Sequence, residues 1–323
     1  MYRIWFNSMI IIIVIYFVII AVVNLVIDPY GEYRLVNSSY SEKKFSTSYS
    51  TTPFVLYKKL SQKPYTLVFG TSRSQMISSK LAQRDILNFS SSLYGNPIDV
   101  FHFLRQLGPQ QKKNIVEIWY LIDTHTMKNK ISMYEKISLN SSKDFIVQTF
   151  LNFNIHKLKA AFSTVENNLN KNFKSYIDED GANIQNENHI FNGIINSDIK
   201  LRMPSYNKDS LEYLNKIDVW RKENNINIKY FTPIYNIPYL QVAPLEEYVK
   251  QYRSFLNVID GFYDFHFVEG ISEHLEYFVD RDHVNTEGTR LLINQLKKES
   301  LDYIVTKENI EVKAKVILNK IYN

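Results

Sequence analysis

From Met9 to Ile27 the chain reads MIIIIVIYFVIIAVVNLVI, without one charged residue and with Asn24 as its single strongly polar side chain. As a helix this run rises about 1.5 Å per residue, enough for roughly the 30 Å hydrocarbon core of a bilayer. A soluble helix of that length carries a polar stripe, and this one has none. A cleaved leader has a shorter apolar core followed by small residues, whereas here the run passes into Asp28-Pro29. The expectation is an uncleaved transmembrane anchor over 9–27, with a short tail over 1–8 and the main domain over 28–323. A buried core helix, in a soluble cytoplasmic enzyme, is the competing reading. Arg3 precedes the segment and Arg34, Lys43 and Lys44 follow it, so charge leaves the orientation open. Tyr2, Trp5 and Phe6 on one side, and Tyr30 and Tyr33 on the other, suit the two membrane interfaces.

The remainder has the make-up of a folded domain. The chain has 323 residues, 45% of them hydrophobic, with 3 Trp, 23 Tyr and 20 Phe to fill a core, which excludes a disordered chain. A formal charge of +5 without a Lys/Arg block makes no case for nucleic acid as the partner. Zero cysteines exclude disulfides, a thiolate nucleophile and Cys-ligated zinc. Tyr65–Phe69, stopped by Gly70, reads as a buried parallel strand, followed by strands at Ile86–Phe89, Ile115–Ile122, Ile226–Phe231 and Phe262–Val268. Helices are expected from Asn96-Pro97 to Leu107, behind Asp209 and Glu212 as a capping signal, over Leu245–Leu256, and from Asn285-Thr286-Glu287 to Lys298. That alternation implies an α/β sandwich around a mainly parallel sheet. An Asn- and Lys-rich insertion at about 128–208 interrupts it, and residues 301–323 are left unassigned. Tyr134, Phe145, Phe150, Phe153, Phe162 and Tyr176 of the insertion are either core or stacking surfaces for sugars.

In open parallel sheets the reactive groups gather beyond the carboxyl ends of strands. The first such segment is Gly70-Thr71-Ser72-Arg73-Ser74, where a serine stands on a tight turn ahead of a helix. A serine nucleophile needs a base, and there are seven histidines: His102, His125, His156, His189, His266, His274 and His283. His102 falls in a helix, His156 and His189 in the insertion and His266 in a strand. His125 directly follows the third strand, and His274 lies in the loop before the last motif. His283 has the most informative surroundings, Asp280-Arg281-Asp282-His283-Val284-Asn285. An Asp three residues before a loop His can bind one ring nitrogen and leave the other for a serine. A solvated loop with a helix cap is the bland alternative. A metal bound by Asp280, Asp282 and His283 would need further ligands, and none is evident.

A serine after the first strand and an Asp-x-x-His before the last helix follow the chain order of SGNH (GDSL-type) hydrolases, a family this sequence resembles. Gly70-Thr71-Ser72 stands where the Gly-Asp-Ser block belongs, and Asp280 to His283 match the closing block. The single anchor followed by Asp28-Pro29-Tyr30-Gly31, the Gly-Thr-Ser-Arg turn and Tyr277-Phe278-Val279-Asp280 look like the membrane-anchored members of bacterial surface-polysaccharide clusters, relatives of the alginate O-acetyltransferase group. The resemblance implies a three-layer sandwich with flavodoxin-like strand order and a catalytic Ser72, His283 and Asp280. It implies an oxyanion hole from the backbone N–H of Ser72 with that of Ser91 or Ser92, and no cofactor or metal. The activity implied is hydrolysis or transfer of an acyl, in particular acetyl, ester on a cell-surface polysaccharide, with the domain outside the cytoplasmic membrane and envelope proteins as further partners. Two departures stand out. The family's second block supplies a Gly, but the matching loop, Asn88 to Gly95, has an ambiguous register; the third block ends in Asn where this chain has Asp123. A carboxylate there would oppose the charge that forms on an oxyanion. That departure motivates the alternative function, a non-catalytic polysaccharide-binding or assembly component.

Overall fold

The computed structural model describes residues 2–29, 31, 36, 38–43, 52–93, 95–123, 127, 155–171, 173, 175–185, 207–236, 245–280 and 282–322. Its helices are α1 (Tyr2–Ile27), α2 (Thr52–Leu60), α3 (Ser79–Ala82), α4 (Ser90–Leu93), α5 (Pro97–Arg105), α6 (Pro109–Lys113), α7 (Ile155–Asn170), α8 (Lys208–Glu223), α9 (Leu245–Leu256), α10 (Thr286–Lys298) and α11 (Ile310–Tyr322). The strands are β1 (Tyr65–Phe69), β2 (Ile86–Asn88), β3 (Ile115–Leu121), β4 (Ser175–Ile177), β5 (Asn183–Gln185), β6 (Ile228–Phe231), β7 (Phe262–Tyr263) and β8 (Ile304–Val305).

The main sheet runs β2-β1-β3-β6-β7-β8. Every neighbouring pair is parallel except β7 with β8. The side chains explain why. Leu67, Phe69, Ile118, Tyr120, Ile228 and Tyr230 enter one apolar cluster, while Val68, Trp119, Leu121 and Phe231 enter another on the opposite face. Strands buried on both faces read as continuous apolar runs, and each face needs its own cover of helices. The first cluster includes Leu56, Phe103, Leu214, Leu256 and Ile317 from α2, α5, α8, α9 and α11; the second includes Ala82 and Leu292 from α3 and α10. Each fully buried Leu or Phe contributes about 2 kcal/mol of transfer free energy. Counting only the parallel strands along the chain, their order is 2-1-3-4-5, so the direction of winding reverses between β1 and β3. Such a reversal opens a crevice beyond the strands' carboxyl ends.

α1 is long and apolar enough to cross a membrane. It already starts at Tyr2, so residues 2–8 of the expected tail continue the helix. Tyr2 through Ile19 are exposed, whereas Ile20, Asn24 and Asp28, each four residues apart, are buried. The end of α1 thus belongs to the domain, packed on α7, whose buried side carries Lys157, Ala161 and Thr164. Asn168 of α7 also exchanges two 3.1 Å hydrogen bonds with the backbone of Lys43. Within the insertion, the β4–β5 hairpin comes back to the sheet: Asn88 donates to the Asp180 carbonyl at 2.8 Å and Asn183 to the Gln75 carbonyl at 2.8 Å.

Two expectations need correction, and one unassigned stretch takes a place in the fold. The strand expected over 262–268 stops at Tyr263. Beyond it side chains satisfy the backbone instead of a ladder: Thr232 Oγ1 accepts from Phe265 N, Asp264 Oδ1 from His266 N and Ser272 Oγ from Val268 N. His266 is therefore in a loop. The cap of α8 is Asn207, whose side chain accepts from Asp209 N at 3.1 Å, ahead of the expected Asp209 cap. The unassigned 301–323 stretch supplies β8, the antiparallel edge, and α11, which packs on α9.

Candidate active site

Ser72 follows β1 on a single 3-10 turn, Ser72–Ser74, and is exposed. Two glycines make room for that turn. A Cβ on Gly95, at φ +56°, would lie 2.5 Å from the Gly70 Cα, backbone against backbone, so neither side can yield. Below the serine, Asn88 at the end of β2 donates to the carbonyls of Ser74 (2.8 Å), Gln75 (3.2 Å) and Ile77 (2.8 Å), while its Oδ1 accepts from Ser90 N at 2.8 Å. The serine turn is thereby bonded to the strand beside it and to the start of α4. Ser91 and Ser92 lie in the first turn of α4, whose early N–H groups have no helical acceptor.

The histidine comes from the opposite end of the chain. Phe278 and Val284 form an antiparallel bridge, and Val279 N donates to the His283 carbonyl at 2.8 Å, which folds 278–284 into a tight loop. Inside it Asp280 Oδ1 accepts from the backbone N–H of Asp282 (3.0 Å) and of His283 (2.9 Å). Asn285 closes the loop as the cap of α10, accepting from Gly288 N at 3.0 Å and donating to the Glu276 carbonyl at 2.5 Å.

Ser72 Oγ lies 2.6 Å from His283 Nε2, across 211 residues of sequence. On the far side of the ring, both Asp280 oxygens lie 2.9 Å from Nδ1. The three residues singled out in the sequence therefore meet in hydrogen-bonding order. A second carboxylate joins them, with Asp282 Oδ1 3.1 Å from the same Nδ1. Burial pushes the His283 ring toward its neutral form, but the Asp280 and Asp282 carboxylates outweigh burial and raise its pKa to about 9. Burial likewise opposes charge on Asp282, yet His283 and Arg73 hold its carboxyl well below the usual range. Asp280, Asp282 and His283 are also a group of metal-ligating type. In this arrangement Nδ1 faces the carboxylates and Nε2 faces Ser72, so both ring nitrogens are shared with hydrogen-bonding partners.

Asp123 follows β3, beside β1 at the winding reversal. Its side chain is fully buried, accepts from Thr71 Oγ1 at 2.5 Å and pairs with Arg73 Nη1 at 2.9 Å. The carboxylate expected to oppose an oxyanion is matched by a cation and a hydroxyl donor, so its charge is compensated locally. Arg73 Nη2 pairs with Asp282, and its guanidinium lies 5.6 Å from the centre of the Tyr235 ring. Burial opposes the Arg73 charge, and Tyr235, Asp123 and Asp282 together keep its pKa above the ordinary arginine value. Sequence reasoning takes Arg73 only as part of the Gly-Thr-Ser-Arg turn, without a role, and passes over Tyr235. The available signal is a charged residue next to the serine with an Asp ending the neighbouring strand.

The other histidines stand apart. His266 is held by the Tyr252 hydroxyl at 2.7 Å and by Asp264 at 3.1 Å, and stacks on Tyr235. His274 is exposed beside Glu276, and His102 lies on α5 against Tyr213. His156 is on α7; His125 and His189 lie outside the described residues. Tyr134, Phe145, Phe150 and Phe153 lie outside them too, while Phe162 is exposed and Tyr176 sits under the Lys43 ammonium. No protein-family model matches this chain, and no curated protein matches it.

Proposed function

We propose that this chain is a membrane-anchored serine enzyme that moves an acyl group, in particular acetyl, from or onto a cell-surface polysaccharide. The observation that carries this reading is the 2.6 Å approach of Ser72 Oγ to His283 Nε2, with Asp280 behind Nδ1. In this reading His283 takes the Ser72 proton as the oxygen attacks the ester carbonyl, and Asp280 steadies the imidazolium. The oxyanion takes the backbone N–H of Ser72 with that of Ser91 or Ser92. His283 then returns its proton to the leaving alcohol, giving an acyl-serine. Water as the next acceptor makes an esterase; a sugar hydroxyl makes an O-acetyltransferase. The resemblance to SGNH hydrolases supports the same roles, and it is the source of the polysaccharide and of the extracytoplasmic placement.

The test uses the full chain in detergent with p-nitrophenyl acetate. Turnover should fall to background in Ser72→Ala and in His283→Ala, each shown to be folded by circular dichroism, and mass spectrometry should find an acetyl group on Ser72. Turnover that survives in both variants overturns the assignment.

A further inference from the structure

The serine turn and the histidine loop share one cation. Arg73 adjoins the nucleophile in sequence, but its side chain is only 7% exposed. Its two terminal nitrogens part company: Nη1 goes to Asp123 at the end of β3, and Nη2 to Asp282 in the loop that carries His283. Tyr235, beyond the end of β6, lies against its guanidinium, and stacks in turn on His266. A guanidinium is a rigid planar fork, so two acceptors bound at its two ends are fixed relative to each other. The acceptor on the His283 side is the better sheltered of the ring's two carboxylates: the Asp282 side chain is 19% exposed and that of Asp280 47%. Water screens a carboxylate more as it is more exposed, so Asp282 acts on the ring through less solvent than Asp280 does.

We propose that Arg73 is the positioning residue of this site: it clamps Asp282 against the His283 ring and ties the serine turn to the histidine loop through Asp123. This rests on the reading of Ser72 and His283 as nucleophile and base. The described charged and titratable groups that face the His283 ring or stand behind those facing it are Asp280 and Asp282 from its own loop, Arg73 from the β1 turn, Asp123 from the end of β3 and Tyr235 from beyond β6. With a neutral imidazole the three carboxylates outnumber the one guanidinium by two charges. When the ring takes the serine proton that excess falls to one, so the cluster favours proton transfer from Ser72 to His283. Arg73 supports this by keeping Asp282 close to the ring, while its own charge, shared with Asp123, offsets part of the excess.

The experiment follows His283 directly. Full-length protein with 15N-labelled histidine is titrated by NMR in detergent, the His283 signals being those lost in His283→Gln, and kcat/KM for p-nitrophenyl acetate is measured over the same pH range. Asp282→Asn keeps the shape and removes the charge; the His283 midpoint should fall by about one pH unit or more, and the acid limb of kcat/KM should move with it. Arg73→Lys keeps the charge but loses the fork; it should lower kcat about tenfold with KM little changed, and shift the midpoint downward as Asp282 is released. A midpoint in Asp282→Asn equal to that of the wild type overturns the proposal, whatever the stability of the Arg73 variant. If the midpoint moves but no protein, wild type included, turns over the ester, the clamp of Asp282 on the His283 ring stands and the acyl-transfer reading falls. With triad-dependent turnover and an unmoved midpoint, the acyl-transfer reading stands and the positioning role falls.

Discussion

Two buried ion networks sit on the same sheet, and only one touches groups able to react. At the carboxyl ends of β1 and β3, Arg73 joins Asp123 and Asp282 beside the Ser72–His283 pair. Along β3 and β6, Glu117 pairs with Arg84 at 2.6 Å and with Lys229 at 3.3 Å, and Lys229 reaches Glu299 at 2.7 Å. The two are alike in construction. Lys229 is as buried as Arg73, and each arginine faces an aromatic ring, Tyr235 for Arg73 and Trp119 for Arg84. Their neighbours differ. The second network ends on the Leu296 carbonyl and on an exposed glutamate, with neither a nucleophile nor a base in it. Buried charge is therefore not itself a mark of function in this fold; position at the winding reversal, next to a serine and a histidine, is what separates the two.

The largest effect that can break this comparison is on chemistry. Ser72→Ala should lower kcat for p-nitrophenyl acetate by about 10,000-fold or more, whereas Lys229→Met should leave kcat per folded molecule within about twofold. An equal loss in both would erase the distinction between the networks. Stability comes next. Arg73→Met leaves Asp123 in the interior without its guanidinium partner, at a cost of about 3–5 kcal/mol in urea unfolding. Lys229→Met should cost less, about 1–3 kcal/mol, because Glu117 keeps Arg84 and Glu299 is open to water. The reverse ranking would mean that the site network is the weaker structural element.

The pH profile sharpens the same contrast. A neutral imidazole accepts the serine proton, so kcat/KM in the wild type should rise about tenfold per pH unit from pH 6 to 8 and level off near the His283 pKa of about 9. The stability tied to that raised pKa runs the other way. It is fully present below about pH 6.5, the unfolded value, and is lost as pH rises through about 9. Thermal melts from pH 6 to 10 should show this fall in the wild type and lack it in His283→Gln. The smallest effect is local: Asn285→Ala removes the α10 cap that closes the histidine loop, and should lower stability by about 1 kcal/mol in the same unfolding assay. No change there would show that the loop is held by Asp280 and the Phe278–Val284 bridge alone.

Much of the architecture is legible in local pattern. β1 and the caps at Asn96 and Asn285 fall where the residues place them, since an apolar run before Gly, or an Asn at a helix start, acts over a few positions. The strand after Gly261 departs from expectation for the opposite reason. Phe262, Phe265, Phe267 and Val268 are buried as a strand's residues would be, yet the backbone there is bonded by the side chains of Thr232, Asp264 and Ser272. Burial is readable from the residues, but the choice between ladder and side-chain partners is not. The site divides in the same way. Ser72, Asp280 and His283 stand out because each sits in a local motif; Arg73 belongs to the Gly-Thr-Ser-Arg turn, but its partners Asp123 and Asp282 are 50 and 209 residues away, so no local pattern announces the pairing.

The sequence by itself determined that one end of the chain suits a membrane, that the rest folds with strands and helices alternating, and which serine and which histidine belong to loops that follow or precede those elements. These follow from hydropathy and from short-range backbone chemistry, which act among neighbouring residues. Tertiary structure decided the rest: that the last turns of α1 are packed against α7, that Ser72 and His283 meet across 211 positions, and that Asp123 faces a guanidinium. Charge compensation depends on distance through space, so it could be settled only when the parallel sheet set the ends of β1 and β3 side by side.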